Sequence, residues 1–383
     1  MRHHDNQRLA GLDTLRACAI LLVLMSHYAS FVSRGPTFGV LGQVGWAGVD
    51  LFFVLSGYLI GNQLLAPVAL GEAPGLTTFF ARRLLRTLPN YYAVLAVYLL
   101  FPQAPFAGSG AAPLWQFLTF TQNFGLAYGQ TFTHSWSLCI EEQFYVVLPL
   151  AVLALARTRS LRLAWCVLLG AIALGMTVRG MAWLRHGHHF QAAEVYYASA
   201  CRFDELLPGV ALAMLKHFHR ARFTSLLRHA NALLAAGLAG AVGLLACMHR
   251  MLPGEFAVTA FGFSLVAMSF ALLVGAALAP HCLLNRVRIP GAASLALWSY
   301  AVYLVHKPVF MALRAPLGRL GIDPEAPAAI LAVMGLGILG GWLLYRLVET
   351  PCMRLRARWF PASPAAPGAA PAPAIAPFAR PGA

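Results

Sequence analysis

Several side chains able to move protons or hold anions occur inside stretches that are otherwise apolar. His27 follows Arg16 by eleven residues, and Asp50, Arg202, Asp204 and His306 interrupt similar runs. Histidine, with an unperturbed pKa of about 6.5, is the side chain best suited to take and return a proton near neutrality. Its plainer role is a packed ring satisfied by a backbone carbonyl, and that reading stands beside the functional one for both His27 and His306. Asp50 could equally mark an interface. Glu141 and Glu142 are neighbours, about 100° apart on a helix, so one of them faces inward squarely. Ser137, Glu141 and Tyr145 repeat at i, i+4 and make Glu141 that residue. Arg82, Arg83 and Arg86 are either ordinary loop charge or a clamp: Arg83 and Arg86 are one turn apart, a spacing that suits paired phosphate contacts.

The elements that must carry these groups follow from composition. Hydrophobic residues make up 59% of the 383-residue chain and charged residues 11%, against about 25% charge in a soluble domain. These values exclude a disordered, collagen-like or small disulfide-stapled protein and predict an all-α polytopic membrane protein. Stretches long and apolar enough for about ten transmembrane helices centre on 12–32, 45–66, 86–102, 136–156, 161–182, 200–217, 230–249, 256–279, 293–313 and 327–348. The third is weakened by its arginines and the sixth is short. No internal repeat is visible. Residues 1–360 read as one integral-membrane domain. Residues 361–383 are a Pro/Ala-rich tail whose composition cannot bury a core and is expected to be disordered. Seven cysteines without CxxC spacing read as buried thiols, so no metal site is expected.

A net charge of +15 needs no nucleic-acid partner. Eighteen of the 28 Lys and Arg fall in the termini and one alternating set of loops, and five fall in the opposite set. The positive-inside rule then predicts that both termini are cytoplasmic. That orientation sets depths. Arg16 lies near the inner face, and His27 is about 16 Å further out at 1.5 Å per residue. Asp50, Glu141, Glu142, Arg202, Asp204 and His306 are predicted to gather with His27 in the outer half. An ionisable group inside a span is costly, so such a gathering reads as a functional site.

The order of these motifs resembles the membrane acyltransferase 3 family from about Leu9 to Arg356. The similarity is carried by RLAGLDTLRACAILLVLMSH with its Arg16-x10-His27 spacing, GVDLFFVLSGYLI, FFARRLLRTLPNYY, HSWSLCIEEQFYVVLP, RFDELLPGVALA, SYAVYLVHKPV and ETPCMRLR. The resemblance implies an O-acyltransferase in a bacterial inner membrane. It would use cytoplasmic acyl-CoA, most often acetyl-CoA, as co-substrate rather than a resident cofactor, and a surface glycan or other hydroxyl as acceptor. His27 would be the catalytic base and Glu141 its partner. Arg16, Arg82, Arg83 and Arg86 would contact the donor, with Asp50, Ser56, Ser137, Glu142, Tyr145, Arg202, Asp204 and His306 in support. Lys307 stands where the family commonly has an aromatic residue. Some members carry an extra extracytoplasmic hydrolase-like domain; past Pro351 this sequence has a short basic segment and the tail, so any such work is expected either to fall to another protein or to be unnecessary.

Acyl transfer from a thioester to a hydroxyl needs a base, an orienting partner and an aligned donor. A carboxylate on the second nitrogen of His27 would hold its tautomer, as in the Ser-His-Asp arrangement without the serine. Two other classes stay open: a transporter of acyl groups or lipid-linked sugars, and a sensor or scaffold. Transporters more often show repeat symmetry or broken helix pairs, and neither is apparent here.

Overall fold

The computed structural model describes residues 9–186, 192–250 and 255–360, all in helices, turns and irregular connections. The chain enters through α1 (Ala10–Tyr28), prolonged by a π-helical turn over Ala29–Ser33. A short α2 (Val40–Val44) leads into α3 (Ala47–Ala69) and α4 (Leu76–Leu100). The loop after α4 contains α5 (Leu114–Leu118) and delivers the chain to α6 (Trp136–Thr158) and α7 (Leu161–His186). Two 3-10 turns, Ser199–Cys201 and Phe203–Leu206, precede α8 (Leu207–Phe218). Next come α9 (Arg220–Arg228), α10 (Ala230–Arg250), α11 (Phe263–Ala277) and α12 (Leu283–Arg286). The described chain closes with α13 (Ala292–Arg319), α14 (Pro327–Leu344) and α15 (Thr350–Trp359).

All ten predicted stretches fall on helix, yet among the described residues seven segments are long and apolar enough by composition to cross a membrane. The three others differ for physical reasons. At 25 and 28 residues, α4 and α13 exceed the roughly 20 needed for the hydrocarbon core. Their apolar character is diluted by Arg82, Arg83 and Arg86 in one and by His306, Lys307 and Arg314 in the other. With 12 residues, α8 rises only about 18 Å and cannot span alone. The tail expected to be disordered lies outside the described residues.

Close helix contact comes from small residues, as membrane packing requires where lipid removes the hydrophobic drive between helices. Gly57 and Gly61 of α3 face Gly209 and Ala213 of α8, both pairs at i, i+4. A methyl on Gly57 would collide with the Leu206 carbonyl, and one on Gly209 with the Val54 carbonyl. This approach lets α3 seat Asp50 beside the turns that precede α8.

A fully buried ionic network forms there. Arg179 of α7 grips Asp204 in a two-pronged contact of 2.6 and 2.9 Å. Arg202 meets Asp50 at 2.5 Å and Glu205 at 2.5 Å through its Nε. The Arg202 guanidinium is enclosed by the Phe263, Tyr196 and Trp136 rings at 4.1, 4.7 and 5.1 Å. Five segments, α3, α6, α7, α11 and the 3-10 turns, are thereby tied through charge and ring contacts.

Replacing Arg202 by Met should leave two buried carboxylates uncompensated, a loss of about 3–5 kcal/mol, read as a collapse in yield or melting temperature of the purified protein. Gly57→Ala should cost about 1–3 kcal/mol through overpacking. In the same thermal assay Gly170→Ala, which meets open space on α7, should be neutral or stabilising.

Candidate active site

Two cavities lie against α1, called outer and inner after the depths expected for His27 and Arg16. The outer one, about 180 Å³, is bordered by His27, Ser26, Ser30 and Phe31 from α1, by His134 and Trp136 at the start of α6, and by Tyr303 and Lys307 of α13. Trp46, Tyr128, Tyr196 and Tyr197 give it further aromatic walls. The inner one, about 80 Å³, is bordered by Arg16, Arg83, Arg86, Ser56, Ser137, Glu141, Tyr145 and Tyr300. Val49 and Tyr303 border both. Arg16 and His27, eleven residues and about 16 Å apart along one helix, therefore border two adjoining chambers.

The histidine geometry defines a hydrogen-bonded line. His27 Nδ1 lies 2.5 Å from His306 Nε2. The ring planes are within 10° with centroids 4.8 Å apart, an edge-to-edge and nearly coplanar meeting, because rings stacked face to face cannot bring two atoms that close. His306 Nδ1 is 3.1 Å from the Val302 carbonyl, one turn back. A carbonyl only accepts, so His306 donates from Nδ1 and its Nε2 is an acceptor in the neutral ring. His27 then donates from Nδ1, which leaves the lone pair of its Nε2 for the cavity. A backbone carbonyl thus sets the tautomers of both rings.

Glu141 does not fill the orienting role expected of it. Ser56 donates to its Oε1 at 2.9 Å and Tyr145 to its Oε2 at 3.2 Å, both within the arginine chamber. The reason is depth. The residue level with the histidines is His134, in the 3-10 turn Thr133–Ser135 that leads into α6, and its ring lies 5.5 Å from that of His306. Glu141 is seven residues further along, about 10 Å down the axis. The Ser137, Glu141, Tyr145 stripe does line one cavity, and Glu142 does not border it.

Of the predicted donor contacts, Arg16, Arg83 and Arg86 reach the inner cavity and Arg82 does not. Arg83 lies over the Tyr145 ring at 4.7 Å, and Arg86 sits 3.6 Å from Glu349, which Asn90 also holds at 2.7 Å. Asp50, Arg202 and Asp204 border neither cavity; they are spent in the buried ion pairs. His306, fully buried behind His27, joins the site as a ring partner.

Two residues of this region, Tyr303 and His134, were not singled out from sequence, whereas Lys307 was noted there beside His306. Tyr303 donates to the His134 carbonyl at 2.5 Å and accepts from Ser137 at 2.7 Å, which fixes it as the partition between the chambers. Its signal was its place one turn before His306 on the same helix. His134 bonds the Leu304 carbonyl through Nε2 at 3.0 Å, and Lys307 is 4% exposed at the cavity edge.

Residues 9–346 match the acyltransferase 3 family model, described as an acyltransferase domain. The chain is 27% identical over 373 residues to the peptidoglycan O-acetyltransferase OatA of Listeria monocytogenes, covering 91% of this chain and 56% of that protein. It is 28% identical over 368 residues to the putative peptidoglycan O-acetyltransferase YrhL of Bacillus subtilis, covering 91% and 55%. Against the O-acetyltransferase OatA of Staphylococcus aureus the identity is 24% over 363 residues, covering 90% and 57%. The chain spans about half the length of these curated relatives. No solved structure matches it. With one family model running through every helix that forms the two chambers, this multi-pass membrane protein belongs to the acyltransferase 3 family.

Proposed function

We propose that the protein is an O-acyltransferase that moves an acyl group, most simply acetyl, from cytoplasmic acyl-CoA to a hydroxyl on an extracytoplasmic glycan. The observation that carries this reading is the pair of chambers on α1, one lined by Arg16, Arg83 and Arg86 and the other by His27, divided by Val49 and Tyr303. Guanidinium groups in pairs suit phosphates, and the excess of basic residues on one set of loops supports putting that chamber toward the cytoplasm with both termini. The separation of about 16 Å along α1 suits an extended pantetheine arm, so the nucleotide would stay inside while its thioester reaches the histidine. The relatives named peptidoglycan O-acetyltransferases favour a carbohydrate acceptor.

In the proposed step, His27 Nε2 takes the proton of the acceptor hydroxyl as that oxygen attacks the thioester carbonyl. The tetrahedral intermediate collapses with loss of the CoA thiolate, and His27 returns the proton to the sulfur. His306 holds His27 in the tautomer that makes Nε2 the base. Ser56 hydrogen-bonds Glu141 on the arginine side, which favours direct transfer over an acyl-Ser56 intermediate. Glu141 acts in the donor chamber, as the one carboxylate among three guanidinium groups in its lining.

Purified protein with labelled acetyl-CoA tests the assignment. His27→Ala should lower transfer by about 10²–10⁴-fold, the usual contribution of a general base, with acetyl-CoA binding retained. His306→Phe should lower kcat by a smaller factor and leave the KM for donor alone. Undiminished turnover in His27→Ala would remove the mechanism.

Donor binding gives a separate check. Arg83→Ala or Arg86→Ala should weaken acyl-CoA binding about 10- to 150-fold, since a charge-assisted phosphate contact is worth about 1.5–3 kcal/mol. Lys in either place should recover part of it. Acyl-pantetheine, which lacks the nucleotide, should bind poorly to the wild type and lose almost nothing more on Arg86→Ala. Equal losses for both donors would assign the arginine to the fold.

A further inference from the structure

Among the described residues, Lys307 is the one Lys or Arg in the lining of the outer cavity, and that lining contains no aspartate or glutamate. The side chain is 4% exposed. Its ammonium lies over the Phe31 ring, with Nζ 4.9 Å from the ring centre. Among the described residues no carboxylate lies within ion-pair distance and no acceptor takes a hydrogen bond from the ammonium. The other buried cations of the outer half are treated differently: Arg179 and Arg202 each have carboxylates at 2.6 Å or less. An ammonium withdrawn from water without an anion is expensive, and a fold that pairs its neighbours so fully has left this one open toward a cavity.

We propose that Lys307 receives an anionic group, a carboxylate or a phosphate, carried by the acceptor. The proposal rests on the acyltransferase reading, in which this chamber takes the acceptor. The cavity of about 180 Å³ corresponds to about six water molecules at about 30 Å³ each, the scale of one sugar ring. Trp46, Trp136, Tyr196 and Tyr197 offer flat apolar faces against which the C–H faces of such a ring can lie. Anchoring the anion at Lys307 while a hydroxyl of the same sugar meets His27 Nε2 holds that hydroxyl in register. Lys307 directly follows His306, so the helix turn that sets the tautomer of the histidine pair also carries the anchor. The acceptor class is then acidic: a uronic or other carboxyl-bearing sugar, or a sugar phosphate.

Trp46 and Trp136 line the cavity, so tryptophan emission reports occupancy independently of turnover. The whole purified protein is titrated with methyl glucuronide, glucose 1-phosphate and methyl glucoside. At least one anion should bind about 10- to 100-fold more tightly than the neutral glucoside, the range of one charge-assisted contact, and which one does so identifies the group. Lys307→Met should erase that advantage while leaving glucoside binding unchanged, and Lys307→Arg should keep it. Equal binding of all three by the wild type, which needs no variant to fold, would overturn the proposal. So would an anion preference that survives in Lys307→Met, or equal slowing of acetyl transfer to neutral and anionic acceptors with binding unaltered, which would assign the ammonium to the thioester oxygen. A Lys307-dependent anion preference without acetyl transfer would support the anion subsite and tell against the enzymatic reading alone.

Discussion

The placement of every catalytic candidate depends on the ion-pair network around Arg202 and Arg179. Charges removed from both water and lipid are tolerable only when their partners are fixed, and here five segments supply those partners. The attraction is strong because the surroundings are apolar, and the same surroundings make any broken pair severe. Asp50 anchors α3 from the residue next to Val49, which borders both chambers. Trp136, packed over Arg202, lies two residues from His134. The network therefore fixes the walls of the outer cavity without facing it.

Against that scaffold the reactive part is small. Two imidazoles and a carbonyl form one hydrogen-bonded line from Val302 to His27, and each bond dictates the next. A carboxylate in the place of His306 would stabilise a charged imidazolium more strongly. A second imidazole, its Nδ1–H held by the Val302 carbonyl, selects the tautomer of its partner ring. That arrangement leaves the surroundings of His27 free of carboxylates, and among the described residues Lys307 is the one Lys or Arg that lines the same chamber. Tyr303 completes the design by bonding to both His134 and Ser137, so the partition between the chambers is built from the same helix as the histidine.

Much of this was legible without coordinates because it is local. A bilayer demands about 20 apolar residues per span, so all ten stretches could be located as helices. Helical period alone placed Ser137, Glu141 and Tyr145 on one face, and helical rise alone separated Arg16 from His27 by about 16 Å. The segments that composition rates poorly are α4, which carries the arginine cluster, α13, which carries His306 and Lys307, and the short α8 that follows the ionic turns; in α4 and α13 the polar residues lowered the very signal used to find them.

What the tertiary structure alone decided was partnership. Periodicity gives each helix a face and a depth scale, but no single helix encodes how far its neighbours are shifted along their axes. A shift of about 10 Å on α6 is enough to put His134 beside the histidines and to leave Glu141 among the arginines. Likewise Asp50, Arg202 and Asp204 shared a predicted depth with His27, yet lateral packing turned them toward one another because unpaired burial would cost more than any site could return. The sequence by itself determined a helical membrane protein with a histidine and an arginine set at two depths. Which groups touch was settled only when the glycine faces of α3 and α8 brought their backbones together.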